Sequence, residues 1–68
     1  MNVSEITLLK QWLTNEELRL ASRVDLCTAN LRLDGSYNAA LRLAQALGEY
    51  RSFVKFMRSL DCLLHLFP

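Results

Sequence analysis

The sequence predicts an all-α protein, and three observations carry that prediction. Fifteen Leu and six Ala stand against one Ile and three Val; Leu and Ala lose little on entering a helix, whereas strands favour branched and aromatic side chains. The single Pro is the last residue, so no ring interrupts a helix inside the chain. Gly occurs twice, at 35 and 48, which leaves few places to turn. Sixty-eight residues make one domain, residues 1–68, read as a helical protein-interaction domain.

Taken in order, the breaks suggest about four helices. Ser4 followed by Glu5 opens a short first helix, about 5–13. Thr14-Asn15-Glu16-Glu17 reads as a new start, with Asn15 as N-cap and acids in the first turn, where the helix dipole favours them. That places a second helix at about 16–33. Asp34-Gly35-Ser36 is the clearest turn: Gly35 can take positive φ to end one helix, and Ser36 can cap the next. A third helix then covers about 37–47, Gly48 breaks it, and a fourth runs over about 50–66.

The faces follow at about 100° per residue. The second helix carries two apolar stripes, Leu20/Val24/Cys27/Leu31 and Leu18/Leu26/Ala29/Leu33, which predicts two neighbours. Four Ala in the third helix predict close helix approach on both sides. In the fourth, Tyr50, Phe53, Val54, Phe56, Met57, Leu60, Leu63, Leu64 and Phe67 cover about half the wheel, wider than the stripe of little more than about 100° that an ordinary surface helix needs. Arg51, Lys55, Arg58 and His65 lie opposite.

Composition also narrows function. Apolar residues make up 51% of the chain, and a domain this small buries only about 60% of the surface its unfolded chain exposes. More apolar surface is present than a lone domain hides, which predicts a partner chain. Eight Lys/Arg against seven Asp/Glu give no basic excess for nucleic acid. No apolar run reaches the roughly 18 to 20 residues of a membrane span, and Met1-Asn2-Val3-Ser4-Glu5 lacks the positive start of a secretory signal. One His and two Cys form no zinc-ligand pattern; Cys62 and His65 share a helical face but make two ligands of the four required. Cys27 reads as a small apolar residue. Two Cys and no signal fit a reducing cytosol, although a Cys27–Cys62 disulfide stays open as an alternative. Asp61 and His65 are spaced for a surface contact, and no nucleophile–base set or phosphate loop is present. No enzyme, metal or cofactor is expected.

The stretch Gly35-Ser36-Tyr37-Asn38-Ala39-Ala40-Leu41 resembles the turn of a tetratricopeptide repeat. That likeness puts a TPR-like helix-turn-helix at the centre of the chain, with Tyr37 packing back on the preceding helix and Ala40 letting the two helices touch. The repeat would run from about Ala21 to Val54; Thr28 and Ala44 depart from its pattern. With Trp12-Leu13 ahead of the acidic cap and Leu63-Leu64-His65-Leu66-Phe67-Pro68 at the end, the chain is similar to small tetratricopeptide-like chaperones of bacterial type III secretion systems. The resemblance implies a cytoplasmic chaperone that holds the needle (filament) subunit as a monomer, together with a second small helical co-chaperone. An amphipathic helix of the needle subunit would lie in a groove walled by Phe53, Phe56, Met57, Leu60 and Leu64, with Tyr37 and Leu41 near it. Core packing within the chain is the competing role for each of these residues. Three rivals remain: a needle-like subunit, itself a helical hairpin; a small helix-turn-helix DNA-binding regulator, although Arg42 is the one charge on its recognition helix; and a homodimeric bundle.

Overall fold

In the computed structural model, which describes residues 1–68, the chain forms two long helices, α1 (Val3–Asp34) and α2 (Tyr37–Leu64), joined by Gly35 and Ser36. The all-α expectation holds, but the helix count is two rather than four. The body measures 48 × 17 × 16 Å. Thirty-two residues of helix span about 48 Å, so the helices lie side by side as an antiparallel hairpin.

The turn forms where the sequence places it. Gly35 takes the left-handed conformation, φ 64°, and its N–H donates to the Leu31 carbonyl at 2.8 Å. A non-glycine residue pays a steric penalty there. Ser36 starts α2: its hydroxyl accepts from the Ala39 N–H at 3.1 Å and donates to Asp34 at 2.7 Å.

Neither of the other expected breaks exists, and the reasons are local. Asn15 is not a cap; Asn2 is, accepting from the Glu5 N–H at 2.8 Å. At Thr14 the hydroxyl donates back to the Lys10 carbonyl at 2.9 Å, a bond that a Thr inside a helix makes without ending it. Gly48 sits in the interior of α2 with open space around it. Glycine there costs roughly 1 kcal/mol against Ala, too little to stop a helix held by packing on α1.

That packing follows one row on each helix. Positions 13, 17, 20, 24, 27 and 31 of α1 and 39, 43, 46, 50, 53, 57 and 60 of α2 are all buried or half-buried. Their spacing alternates between four and three, the period of helices that wrap with a shallow left-handed crossing. Leu13, Leu20, Ala39 and Ala46 are fully buried. Small Ala39 and Ala46 admit the larger Leu and Val from α1 opposite them. The Ala-rich stretch is therefore not sandwiched: Ala40 and Ala44 are exposed. Tyr37 does not pack back on α1 but stands 80% exposed, because capping by Ser36 puts Ala39, not Tyr37 or Ala40, on the row facing α1.

The C-terminal residues close the open end. His65 leaves α2 in the left-handed conformation, φ 53°, and its N–H donates to the Asp61 carbonyl at 2.7 Å. The Asp61 carboxylate then accepts from the Phe67 N–H at 2.7 Å. Asp61 thus holds the chain end rather than the His65 ring. Leu66 is driven into the core at 4% exposure, and Lys10 lies 5.5 Å over the Phe67 ring.

Candidate partner-docking flank

Two rows in contact leave the hairpin with two flanks, and their chemistries differ. The cross-helix contacts fix which residues share a flank. On one, Trp12 meets Phe53 edge to face at 6.3 Å and 64°, and Phe56 continues the cluster 6.4 Å from Phe53. Leu8, one turn before Trp12, and Leu63, two turns after Phe56, extend the same side. Toward the turn this flank becomes polar. Arg23 reaches Glu49 at 3.7 Å, and Arg19 pairs along its own helix with Glu16. The Arg19 guanidinium is pushed above its ordinary value, first by the hydrogen bonds it donates to Glu16 and then by that carboxylate's charge. It stays a cation at any pH the protein meets.

Trp12 is 54% exposed and Phe56 49%, and Leu8 and Leu63 more so. A single exposed Leu means little on any protein. Trp12 and Phe56 beside Phe53, with Leu8 and Leu63 exposed toward the same end of the hairpin, leave apolar surface open there. Aromatic residues are the ones enriched at the centres of such surfaces.

The opposite flank is basic and partly covered. Tyr50, Arg51, Val54, Lys55 and Arg58 line a shallow open groove there. None of these three cations has a carboxylate within 4 Å. The tail lies over the open end of the hairpin, its Phe67 against Lys10.

The residues singled out from the sequence as a groove wall fall at several places on the hairpin. Phe53, Met57 and Leu60 stand in the row that faces α1 and are half-buried. Phe56 lies on the aromatic flank, and Leu64 is the exposed last residue of α2. Tyr37 and Leu41 are exposed at the turn end. Fifteen residues of helix, about 22 Å, separate Leu41 from Phe56. Two helices enclose no groove between layers, and the open apolar surface lies along a flank. Sequence reading missed Leu8 as a part of it and placed Trp12 only within a resemblance. A break assumed at Thr14 hid that both lie on the long helix facing Phe53.

The second stripe of α1 is real but unpartnered. Leu18, Leu26 and Leu33 are exposed, Leu33 88% so, and Leu33 borders a recess at the turn together with Ala39 and Arg42 of α2. One of the two neighbours expected for this helix is α2; the chain itself supplies no second. Cys27 lines a recess with Ala39 and Arg42 near the turn, whereas Cys62 is twenty residues further along α2, about 30 Å. A disulfide needs Cα atoms within about 7 Å, so both thiols are free. No three His, Cys, Asp or Glu side chains converge as metal ligands, and no helix is long and apolar enough to cross a membrane.

Surface area puts a size on what is uncovered. The chain exposes 5263 Å², whereas a compact monomer of its mass exposes about 4,400 Å². The excess is about 900 Å² and comes with the elongated 48 × 17 × 16 Å shape. Compared with known proteins, the chain matches no family model, no curated protein and no solved structure.

Proposed function

We propose that this chain is a non-enzymatic helical-hairpin chaperone of the type III secretion kind, acting in the bacterial cytoplasm to keep a needle or filament subunit from assembling early. The supporting observation is the contiguous aromatic flank of Trp12, Phe53 and Phe56 on a hairpin too thin to cover it. An amphipathic helix of the needle subunit would lie along this flank instead of inside a groove. Its apolar positions, spaced three and four apart, would meet Leu8, Trp12, Phe56 and Leu63. Burying the polymerising face of the subunit in this way blocks its growth. The outer stripe of α1, with Leu18, Leu26 and Leu33, is the surface for a second small helical co-chaperone. Of the TPR-like reading, the Gly35 turn is the part that this proposal keeps. The unpaired Arg51, Lys55 and Arg58 would draw in an acidic partner over longer range.

The test is co-production of the tagged chain with the small proteins encoded beside it, followed by light scattering on what elutes. A soluble complex with a needle-like subunit is expected. Phe56→Asp abolishes it and Lys55→Ala leaves it intact. A chain that elutes without any neighbour, under conditions where both are soluble, overturns the proposal.

A second reading has its own support. A two-helix hairpin is what the resemblance implies for a needle-like subunit, the runner-up expected from the sequence. It predicts that the chain alone assembles into filaments visible by electron microscopy. A DNA-binding role is not favoured, since helix-turn-helix units cross at about 90–120° and these helices lie alongside each other in a body 17 Å wide.

A further inference from the structure

We propose that, when no other partner is present, a second copy of this chain covers the aromatic flank, forming a four-helix bundle with both turns at the same end. This rests on the flank being an interaction surface, as proposed above, and adds how that surface is kept from water before its partner arrives.

One hairpin exposes about 900 Å² more than a compact chain of its mass, and pairing two hairpins into a bundle reduces that excess. A two-helix hairpin buries one row per helix, and pairing two hairpins buries a second. The pattern along the flank also selects how two copies fit. With the two-fold axis parallel to the helices, α1 of one copy lies on α2 of the other at the same height. Leu8 and Trp12 then face Leu63 and Phe56 of the second copy. Nearer the turn, Arg23 faces Glu49 of the second copy, adding a cross-pair to the one each hairpin already makes at 3.7 Å. Apolar surface meets apolar at the open end, and cation meets anion at Arg23 and Glu49. The reversed pairing, with the turns at opposite ends, slides each α1 along the other and sets the polar half of the flank beyond the apolar patch of its partner. Charge on the flank sums to zero over Glu16, Arg19, Arg23 and Glu49, so two copies approach without net repulsion.

Trp12 is the single tryptophan of the chain, and it sits at the centre of this contact, so the protein reports on its own association. Light scattering on the purified full chain should give twice 7.8 kDa. On serial dilution the Trp12 emission should shift to the red in step with dissociation. Phe56→Asp should return the mass to that of one chain at unchanged helical circular dichroism. Should that variant unfold, Leu63→Glu, at a position 76% exposed, serves in its place. Orientation is read separately: Asn38→Cys in a chain with Cys27→Ala and Cys62→Ser should cross-link turn to turn with a short bis-maleimide. A chain that stays monomeric into the millimolar range overturns the proposal. So does a dimer that survives both flank variants, or one that resists the turn-to-turn cross-link. A monomer that nonetheless captures a neighbouring subunit overturns this proposal alone and leaves the chaperone reading standing.

Discussion

Two glycines in one chain have opposite reasons for being there. At Gly35 the backbone is left-handed and nothing crowds the missing side chain. Gly35→Ala therefore meets only the backbone penalty, about 1–2 kcal/mol. Gly48 has ordinary helical geometry and equally open surroundings, so Gly48→Ala should stabilise the chain by about 0.8–1 kcal/mol. Urea titrations of the two variants should move the midpoint in opposite directions. The contrast also shows what was legible in the sequence at this scale. Gly35 sits between Asp34 and Ser36, whose side chains bond each other and the next helix, and that local chemistry was readable. Gly48 has no such neighbours, and a glycine alone does not turn a chain. The site residues were harder. Phe53, Met57 and Leu60 differ from Phe56 by a fraction of a turn, and whether a side chain faces α1 or solvent depends on the register set by Ser36.

Each element is longer than its local signals indicate. Thr14-Asn15-Glu16-Glu17 has the composition of a helix start, yet the helix passes through it with Thr14 bonded to Lys10. Cap residues state a local preference of about 1 kcal/mol. Continuity here is enforced by Leu13, wholly buried, and Leu20 two turns on, both on the row that packs against α2. A chain end inserted between them would break that row. Hydrogen exchange should accordingly show the amides of residues 15–18 protected as well as those of 20–24. Rapid exchange confined to 15–18 would mean two helices in place of one. The continuous row explains why one helix pair replaces the expected four: heptad spacing runs unbroken through both apparent breaks, and it was visible once positions 13 to 31 were read together.

The whole molecule has five buried residues, and one of them, Leu66, lies outside both helices. For a chain of this size total stability is of the order of 3–10 kcal/mol. Burying one Leu supplies about 1.5–3 kcal/mol. Ending the chain after Leu64 removes that burial together with the Asp61–Phe67 hydrogen bond and the Lys10 contact. The truncated chain should melt at least 10 °C lower, since each 1 kcal/mol shifts the midpoint by roughly 4–8 °C in a domain this small. Asp61→Ala should reproduce part of that loss. An unchanged melting curve would show that the tail contributes nothing. At this scale the amino-acid sequence conveyed the surplus of apolar surface but not its location, because location depends on how far apart two helices carry residues that look alike.

The hairpin connection also sets an order of events. Contacts across the seam join a residue before Gly35 to one after it, so the loop each one closes lengthens from the turn, through Arg23–Glu49 and Trp12–Phe53, to Lys10–Phe67 at the chain ends. Closing a longer loop costs more chain entropy, growing with the logarithm of its length. The helix ends beside the turn meet after a few residues of chain, whereas the open end needs nearly all of it. The hairpin should therefore zip from Gly35 outward in folding and peel from its ends inward when it opens. The aromatic flank lies at the late-closing, first-opening end, so whatever covers Trp12 and Phe56 also clamps the part of the molecule that time and heat release first.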